Sequence, residues 1–436
     1  LTFDITLAPL TITAEDKSKV FGEVDPELTV SYAGFVNGED KDDLTGTLLI
    51  SRVSGEAVST YAITASGLTS TNYDITYTPG AFTITSRLIT QSAFTVSPIT
   101  DLVYTGLGQT PSPAVQDGAT VLVADTDYTL SYVANTNVGT ATVTVTGIGN
   151  YSGTKQVTFN ILKKALTISG LAADDKEYDG TSEATLSGTA SLVGLVDGDD
   201  IVLSGTSEST FTSPNVSTAI TVTVFGYELT GTAKDNYSLS QPTGLSADIT
   251  YRTISVTPTS GLTKLYGESD PEFTYTFSGT VSGQTAAFSG SLSRIQGENA
   301  GSYQITQGSL ILLDNGSFKA SNHVISLTAN IDFEITKAPL IVTVNNDAKF
   351  VTQADTQGYA GVSYSGFKFG EDATSLNTTN LTITRSNAGV EASGVYTDVL
   401  EASGITSQNY AISYEPADYQ IVAADQLYVK LADTEV

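Results

Sequence analysis

The chain has no cysteine, methionine or tryptophan, and a single histidine among its 436 residues. Without cysteine there are no disulfides, thiolate zinc sites or thiol nucleophiles. A triad of the serine-hydrolase kind has only His323 to draw on. Secreted eukaryotic arrays of small domains commonly carry disulfides, so their absence leans toward a bacterial surface protein. Basic residues are scarce too: 19 against 47 acidic ones, for a formal charge of −28. Such a surface repels phosphate backbones and anionic headgroups, which argues against a nucleic-acid partner. No apolar run approaches the roughly 18 residues that span a bilayer, so no membrane insertion is expected. There is no initiator methionine and no signal-peptide pattern. The sequence reads as the interior of a longer polypeptide whose export signal and anchor lie elsewhere.

What is present is repetition. Hydrophobic residues make up 40% of the chain, enough for packed cores despite the acidity. KVFGEVDPELTVSYAG (19–34) returns as KLYGESDPEFTYTFSG (264–279) with eight of sixteen positions identical. An Asn followed by a ring recurs at Asn72-Tyr73, Asn150-Tyr151, Asn236-Tyr237, Asn322-His323 and Asn409-Tyr410, at intervals of 78, 86, 86 and 87 residues. Each pair precedes an alternating run that closes on Ile84, Ile161, Ile249, Ile335 or Ile421, and an apolar-Thr strand opens each unit. The two markers divide the chain into five units, 7–86, 87–163, 164–250, 251–336 and 337–423. FDITLAPL (3–10) matches FEITKAPL (333–340) at the junction of the last two units, so residues 1–6 read as the closing strand of a preceding unit. Residues 424–436 break the pattern and read as a linker or the start of another module.

Within a unit the period is two. Ala141, Val143 and Val145 alternate with Thr142, Thr144 and Thr146; Tyr73, Ile75 and Tyr77 alternate with Asp74 and Thr76. This is the pattern of half-buried antiparallel strands, and Asp117-Gly118, Asp197-Gly198 and Asn315-Gly316 supply turns. No stretch holds a helical period over three turns. The expected class is all-β: a tandem array of immunoglobulin-like β-sandwich modules in an extended rod. In the repeated 16-residue motif, Phe21 or Tyr266 is expected to plug the core of its own unit and Gly22 or Gly267 to make the turn. Asp25-Pro26 and Asp270-Pro271 would add a side-chain acceptor for backbone N–H groups and a fixed φ. Leu28, Val30 and Tyr32 start the next strand.

These motifs carry a resemblance. FGEVDPELT, LYGESDPEFT and the paired Asn-Tyr strand resemble the MBG repeat family (YGx type) of large bacterial surface proteins. KEYDGTSEATLSG (176–188) with LVDGDDIVLSG (195–205) resembles the related YDG type. The second unit, with LVYTGLGQTPSPAVQDG (102–118), is similar to another bacterial cell-surface β-repeat. The fifth departs: Lys349-Phe350 is followed by VTQADTQG, without the Gly and without Pro after Asp355, which leaves its first turn in question. The resemblance implies the stalk of a secreted adhesin, of the kind found in Bacteroidota and including gliding-motility adhesins. It supplies no ligand.

Candidate sites are few. His323 fills a slot that holds Tyr in the sister units, which points to a core ring rather than a catalytic base. Glu39, Asp40, Asp42 and Asp43, and Asp197, Asp199 and Asp200, are hard oxygen ligands of the type Ca²⁺ favours. They match no EF-hand or glycine-rich nonapeptide and read as solvated turns, so no metal or other cofactor is assigned. Paired carboxylates abound but small units offer little room for a glycosidase cleft. TGIGNYSG (146–153) lies between strands and is no phosphate loop. Lys–Asn isopeptide crosslinks need a buried Lys beside a carboxylate, which sequence does not reveal. The expected function is a non-enzymatic stalk or spacer that projects a binding tip, with neighbouring repeats as partners and surface polysaccharide or other cells engaged elsewhere on the polypeptide. The alternatives are a carbohydrate-binding array, a filament or lattice subunit, and an accessory region of a large secreted enzyme.

Overall fold

Polar–apolar alternation becomes strand along the whole chain. The computed structural model describes residues 3–425, and among these there is no α-helix, only short 3-10 turns such as Lys41–Asp43. Residues 426–436, most of the segment expected to begin another module, lie outside the described residues, as do residues 1 and 2.

The first repeat sets the plan. Its strands are β1 (Ala8–Ala14), β2 (Lys17–Val20), β3 (Val30–Ala33), β4 (Thr45–Arg52), β5 (Ser59–Thr69), β6 (Tyr73–Thr78) and β7 (Gly80–Thr85). They form a three-stranded sheet, β3-β1-β6, and a four-stranded sheet, β2-β7-β5-β4. Leu10, Ile12 and Ala14 of β1 point inward, as do Phe82 and Ile84 of β7. The ladders are not purely antiparallel, which corrects the expectation. β1 runs parallel to β6 from Ala8↔Tyr73 to Thr13↔Thr78, and β2 runs parallel to β7 from Lys17↔Phe82 to Val20↔Thr85. The pairs β1-β3, β4-β5 and β5-β7 are antiparallel. Each of the paths β1–β2 and β6–β7 passes from one sheet to the other, and the two lie side by side in the same direction. A parallel pair needs a long crossover, and residues 21–72 provide it. Side chains alternate with period two in either ladder, so strand direction leaves no trace in the pattern.

The four-stranded order recurs around the closing strands Thr154–Leu162, Leu245–Thr250, Asp332–Thr336 and Ala417–Val422. The three-stranded sheet recurs around Lys164–Ala173, Arg252–Pro258 and Ala338–Val344. The second repeat departs, with its opening strand reduced to Arg87–Leu88 against Tyr151–Ser152. In every repeat the ring after the Asn sits on the first rung: Ala8↔Tyr73, Arg87↔Tyr151, Lys164↔Tyr237, Arg252↔His323 and Ala338↔Tyr410.

Contact density divides the chain into two units. One comprises Leu1–Ala172, Leu186–Ser209 and Thr223–Gly244; the other comprises Ala173–Thr185, Thr210–Val222 and Leu245–Val436. Within the first, one core joins Tyr104, Val143, Phe159 and Ile161 of the second repeat to Leu166 and Tyr237 of the third. Within the second, one core joins Ile254, Phe318, Phe333 and Ile335 of the fourth repeat to Leu340, Val342 and Tyr410 of the fifth. Hydrophobic cores therefore continue across two boundaries, from the second repeat into the third and from the fourth into the fifth.

The last glycine of the 16-residue motif has a steric role. Gly279 sits at φ +104°, and a Cβ there would lie 2.3 Å from the Thr253 carbonyl oxygen. Gly34 repeats this at φ +120° against Pro9. Gly279→Ala should destabilise the fourth repeat by at least about 1–3 kcal/mol, the usual cost of a side chain held in that region. Thermal unfolding measures it, with hydrogen exchange across Arg252–Pro258 reporting the site; an unchanged melting temperature would contradict the assignment.

Candidate functional site: the joints between repeats

The charged residues of the repeated motif form closed ion-pair clusters. In the first repeat Lys19 Nζ lies 2.6 Å from Asp25 and 2.5 Å from Glu56, while Arg52 reaches the same two carboxylates at 2.5 Å each. The fourth repeat reproduces this with Lys264, Asp270, Arg294 and Glu298 at 2.6–2.7 Å. In the fifth, Lys349, Asp355, Arg385 and Glu391 occupy the same positions at 2.6–3.4 Å, although the motif around them has degenerated. The arginines also lie over core rings, Arg52 at 4.7 Å from the Phe82 centroid and Arg385 at 4.9 Å from that of Tyr419. Asp25 thus serves Arg52 and Lys19 rather than backbone N–H groups, because two buried cations require anions close by. Arg52 first, and then Lys19, hold the Asp25 carboxyl down at about 2. Lys19 is pushed up, by its bonds to Asp25 and then Glu56. Amide formation between them needs a neutral amine and a protonated carboxyl, and the cluster favours the opposite pair of states.

The rings are used between repeats. In the first unit, Phe21 meets Tyr151 of the next repeat edge to face at 5.5 Å, and Tyr104 meets Tyr237 at 5.4 Å. In the second, Tyr178 meets His323 at 5.2 Å and Tyr266 meets Tyr410 at 5.4 Å. Phe21 and Tyr266 therefore plug a joint, not the core of their own repeat alone. Gly267, at φ +89°, lets its turn seat directly on the following repeat; a Cβ would fall 2.5 Å from Lys368 Cγ.

The Asn before each ring clamps the same joint. Asn150 Oδ1 accepts the N–H of Val58 at 2.9 Å, and Asn236 Oδ1 that of Val138 at 2.9 Å. In the second unit, Asn322 Oδ1 accepts from Val216 at 3.0 Å and Asn409 Oδ1 from Ala300 at 2.9 Å. Three of these amides also donate to an Asn on the preceding repeat: Asn236 to Asn137, Asn322 to Asn215 and Asn409 to Asn299. An edge-on ring pair contributes about 0.5–1.5 kcal/mol beyond burial, and each neutral hydrogen bond about 1 kcal/mol.

The acidic candidates divide by role. Glu39 accepts the Tyr73 hydroxyl at 2.5 Å, Asp40 and Asp43 cap the Lys41–Asp43 turn, and Asp42 pairs with Lys41. Asp199 accepts the hydroxyls of both Tyr104 and Tyr237, and Asp200 holds Thr232. Asp197 lies in the turn before them. Glu371 accepts both Tyr266 and Tyr410 at opposite oxygens. Among the described residues no group of three or more His, Cys, Asp or Glu side chains converges on a point where a metal ion could sit. Burial and then Asp199 push Tyr237 up to about 12; burial and then Glu371 do the same to Tyr410.

His323 is the exception that shows the rule. Its ring stacks on Phe318 at 4.2 Å, and Nδ1 lies 2.8 Å from the Lys319 carbonyl oxygen, the contact of a donating N–H. Nε2 is buried without a hydrogen-bond partner. Where sister repeats place Glu39, Asp199 or Glu371, this one has Gln284, which donates to the Tyr178 hydroxyl at 3.1 Å while its own Oε1 is left unpaired. Where the ring loses its hydroxyl, the acceptor loses its charge.

Comparison with known families bears on the same segments. The MBG domain (YGX type) matches residues 10–83, 254–323 and 340–420, and the YDG domain matches residues 162–244. The degenerate fifth repeat is thus among the matched segments. No curated protein matches the chain. Among solved structures, a SusE-like, surface-located polysaccharide-binding protein from the heparin utilisation locus of Bacteroides thetaiotaomicron aligns over 94% of this chain and 72% of its own, at 9% identity and a TM-score of 0.12.

Two outcomes follow from the joint geometry. His323→Tyr should stabilise the protein by about 1 kcal/mol per new hydrogen bond, its hydroxyl reaching Gln284 Oε1 and the Val281 N–H as Tyr410 reaches Lys368 N. Calorimetry decides, and an unchanged or lower melting temperature would count against the matched-pair assignment. Alkaline titration should find Tyr237 and Tyr410 neutral up to about 12. Tyrosines of the unfolded chain ionise near 10, so stability from these two is complete below pH 10 and declines as pH rises toward 12. Denaturation measured across that range should flatten in the double variant Tyr237→Phe, Tyr410→Phe.

Proposed function

The chain belongs to the MBG domain family (YGX type), and on that premise we propose that it is a non-enzymatic spacer segment of a bacterial surface adhesin. Its repeats run end to end as a stiff rod and carry a binding tip away from the cell, for attachment or surface motility. The partners of the segment are its own neighbouring repeats; surface polysaccharide or other cells are engaged by other parts of the polypeptide. The proposed modules are those read from the markers, 7–86, 87–163, 164–250, 251–336 and 337–423.

One observation carries this reading. The side chains that a catalytic or binding hypothesis would select, buried Lys and Arg, carboxylates beside tyrosines, and the histidine, are engaged with each other at ion-pair clusters and joints. A joint with an Asn clamp and an edge-on ring pair resists bending, whereas a hinged linker would be rich in Gly and Ser. No helix among the described residues is long and apolar enough to cross a membrane.

Small-angle scattering tests the spacer reading. Strands rise about 3.3 Å per residue, so a module with its turns is roughly 30–40 Å long and five in line span on the order of 150–200 Å. A maximum dimension in that range, unchanged by added oligosaccharide, is the expected result. A dimension near 80 Å would instead mean a compact assembly and remove the rod. Saturable oligosaccharide binding by the segment itself would favour the alternative of a carbohydrate-binding array, and concentration-dependent lateral association would favour a filament or lattice subunit.

A further inference from the structure

In three repeats one loop serves a ring hydroxyl. The oxygens of Tyr73, Tyr237 and Tyr410 accept the N–H of Val36, Val196 and Lys368 at 3.1, 3.1 and 2.8 Å. Each hydroxyl donates to the side chain three residues further along the loop, Glu39, Asp199 or Glu371. One oxygen is thereby held between a backbone donor and a side-chain acceptor. In the fourth repeat the loop is Val281-Ser282-Gly283-Gln284 and the ring is His323. The turn closes in the same way: Gln284 N donates to Val281 O at 3.0 Å, as Glu39 N does to Val36 O at 3.1 Å and Glu371 N to Lys368 O at 3.0 Å. The ring, however, is an imidazole, which is shorter than a phenol and carries no oxygen.

Three polar groups flank the hydroxyl's position in this repeat. His323 donates from Nδ1 to the Lys319 carbonyl, so Nε2 presents a lone pair. The residue is 6% exposed, and Nε2 has no partner in the protein. Gln284 donates from Nε2 to the Tyr178 hydroxyl, and its Oε1 is likewise buried without a partner in the protein. The third group is the Val281 N–H, whose three counterparts each donate to a tyrosine oxygen. Two acceptors and one donor thus belong to a single position, and buried polar groups are rarely left unmatched.

We propose that this position is a binding site for one buried water molecule, which donates to His323 Nε2 and Gln284 Oε1 and accepts the Val281 N–H. A water has two protons to give and lone pairs to receive, and buried waters typically make about three hydrogen bonds. Other ligands match less well. A metal cation suits Nε2 and Oε1 but meets the positive end of the Val281 N–H, and the acid that could balance it in sister repeats is here the neutral Gln284. A second proton on the imidazole satisfies at most one acceptor and leaves the Val281 N–H unmet. The water also gives Gln284 a use on both sides, its amide N–H toward Tyr178 and its oxygen toward the ligand. His323→Tyr then acts by displacement: the phenol hydroxyl takes over the contacts to Val281 and Gln284 and frees the water. The site holds whether the chain is a spacer or a carbohydrate-binding array, since neither use touches it.

The test uses the full chain, in which His323 is the only histidine and labelled histidine gives a single set of ring signals. The imidazole carbon-bound protons should show a nuclear Overhauser effect to water of the sign that marks a long-lived contact, and the ring nitrogens should report the proton on Nδ1. Absence of that effect, or a proton found on Nε2, overturns the proposal. Oxygen-17 relaxation dispersion of the solvent counts the waters held longer than the protein tumbles. His323→Tyr, a change to the residue that the other four repeats carry, should lower that count by one; equal counts overturn the site. A crystal structure of the unaltered chain decides independently of any variant. It should place one water oxygen about 2.7–3.2 Å from His323 Nε2, Gln284 Oε1 and Val281 N. A direct hydrogen bond between His323 and Gln284, or a position without solvent density, refutes it.

Discussion

The first rung of the parallel pair is the constraint on which the rest depends. Pairing Ala8 with Tyr73, and its equivalents in every repeat, fixes the ring at the end of the repeat where the next body arrives. Register then does the remaining work. The residue before the ring is forced to the rim, where an Asn amide can hold a foreign loop, and the hydroxyl is aimed at whatever follows the glycine of Asn37-Gly38-Glu39 and its counterparts. A slip by one residue would turn the ring outward and bury the Asn among apolar groups. The parallel arrangement is what makes this register common to both sheets, since the same two chain paths build the first rung and the closing strand.

The buried cations solve a separate problem. A small β-repeat has a thin core, and its loop Ser54–Val58 must be held at a fixed height to meet the next Asn. Arg52 donates to the Gly55 carbonyl at 2.7 Å as well as to both carboxylates, and the Tyr61 hydroxyl donates to Ala57 O at 2.9 Å. In the fourth repeat Arg294 donates to Gly297 O and Tyr303 to Asn299 O. A buried ion pair is weak evidence for net stability, because desolvation offsets much of the attraction. Its value here is geometric: it fixes the loop whose N–H groups, Val58 and Ala300, the neighbouring Asn150 and Asn409 receive. The motif that invites a catalytic interpretation is the support of a hydrogen-bond donor.

Much of this was legible in the sequence, and the limit is physical. Repeats, strands and inward faces follow from alternation and from the spacing of Asn-Tyr and closing Ile, because burial imposes a period. Strand direction does not, since parallel and antiparallel ladders share that period. Nor does alternation distinguish a ring that fills its own core from one that fills a neighbour's, as Phe21 and Tyr266 demonstrate. A signal for the joint was nevertheless present. Gly38-Glu39, Gly198-Asp199 and Gly370-Glu371 accompany tyrosines, and Gly283-Gln284 accompanies His323. Those four dipeptides, set against the four rings, pair acceptor with donor in the sequence itself. The Lys19, Asp25, Arg52 and Glu56 cluster was harder to see, because its members are scattered along the chain and only the fold closes the set.

That paired substitution also bears on how such an array diversifies. Each joint couples residues of two successive repeats, so a ring and its acceptor cannot drift independently: a charged acceptor facing a ring without a hydroxyl would be a buried carboxylate short of a donor, costing on the order of 1–3 kcal/mol or more. The joint of His323 shows a compatible change on both sides, at the expense of one unpaired nitrogen and one unpaired oxygen. The joint of Phe21 shows another solution, in which Tyr151 stands edge-on to both Phe21 and Phe94 in place of the bridging acid. The outer faces of the strands are free of this coupling and can vary with the surface the protein must present. Order along the chain is therefore encoded in the joints, by matching hydroxyl to acceptor, and a repeat moved to a new position would be accepted or rejected by the ring it meets.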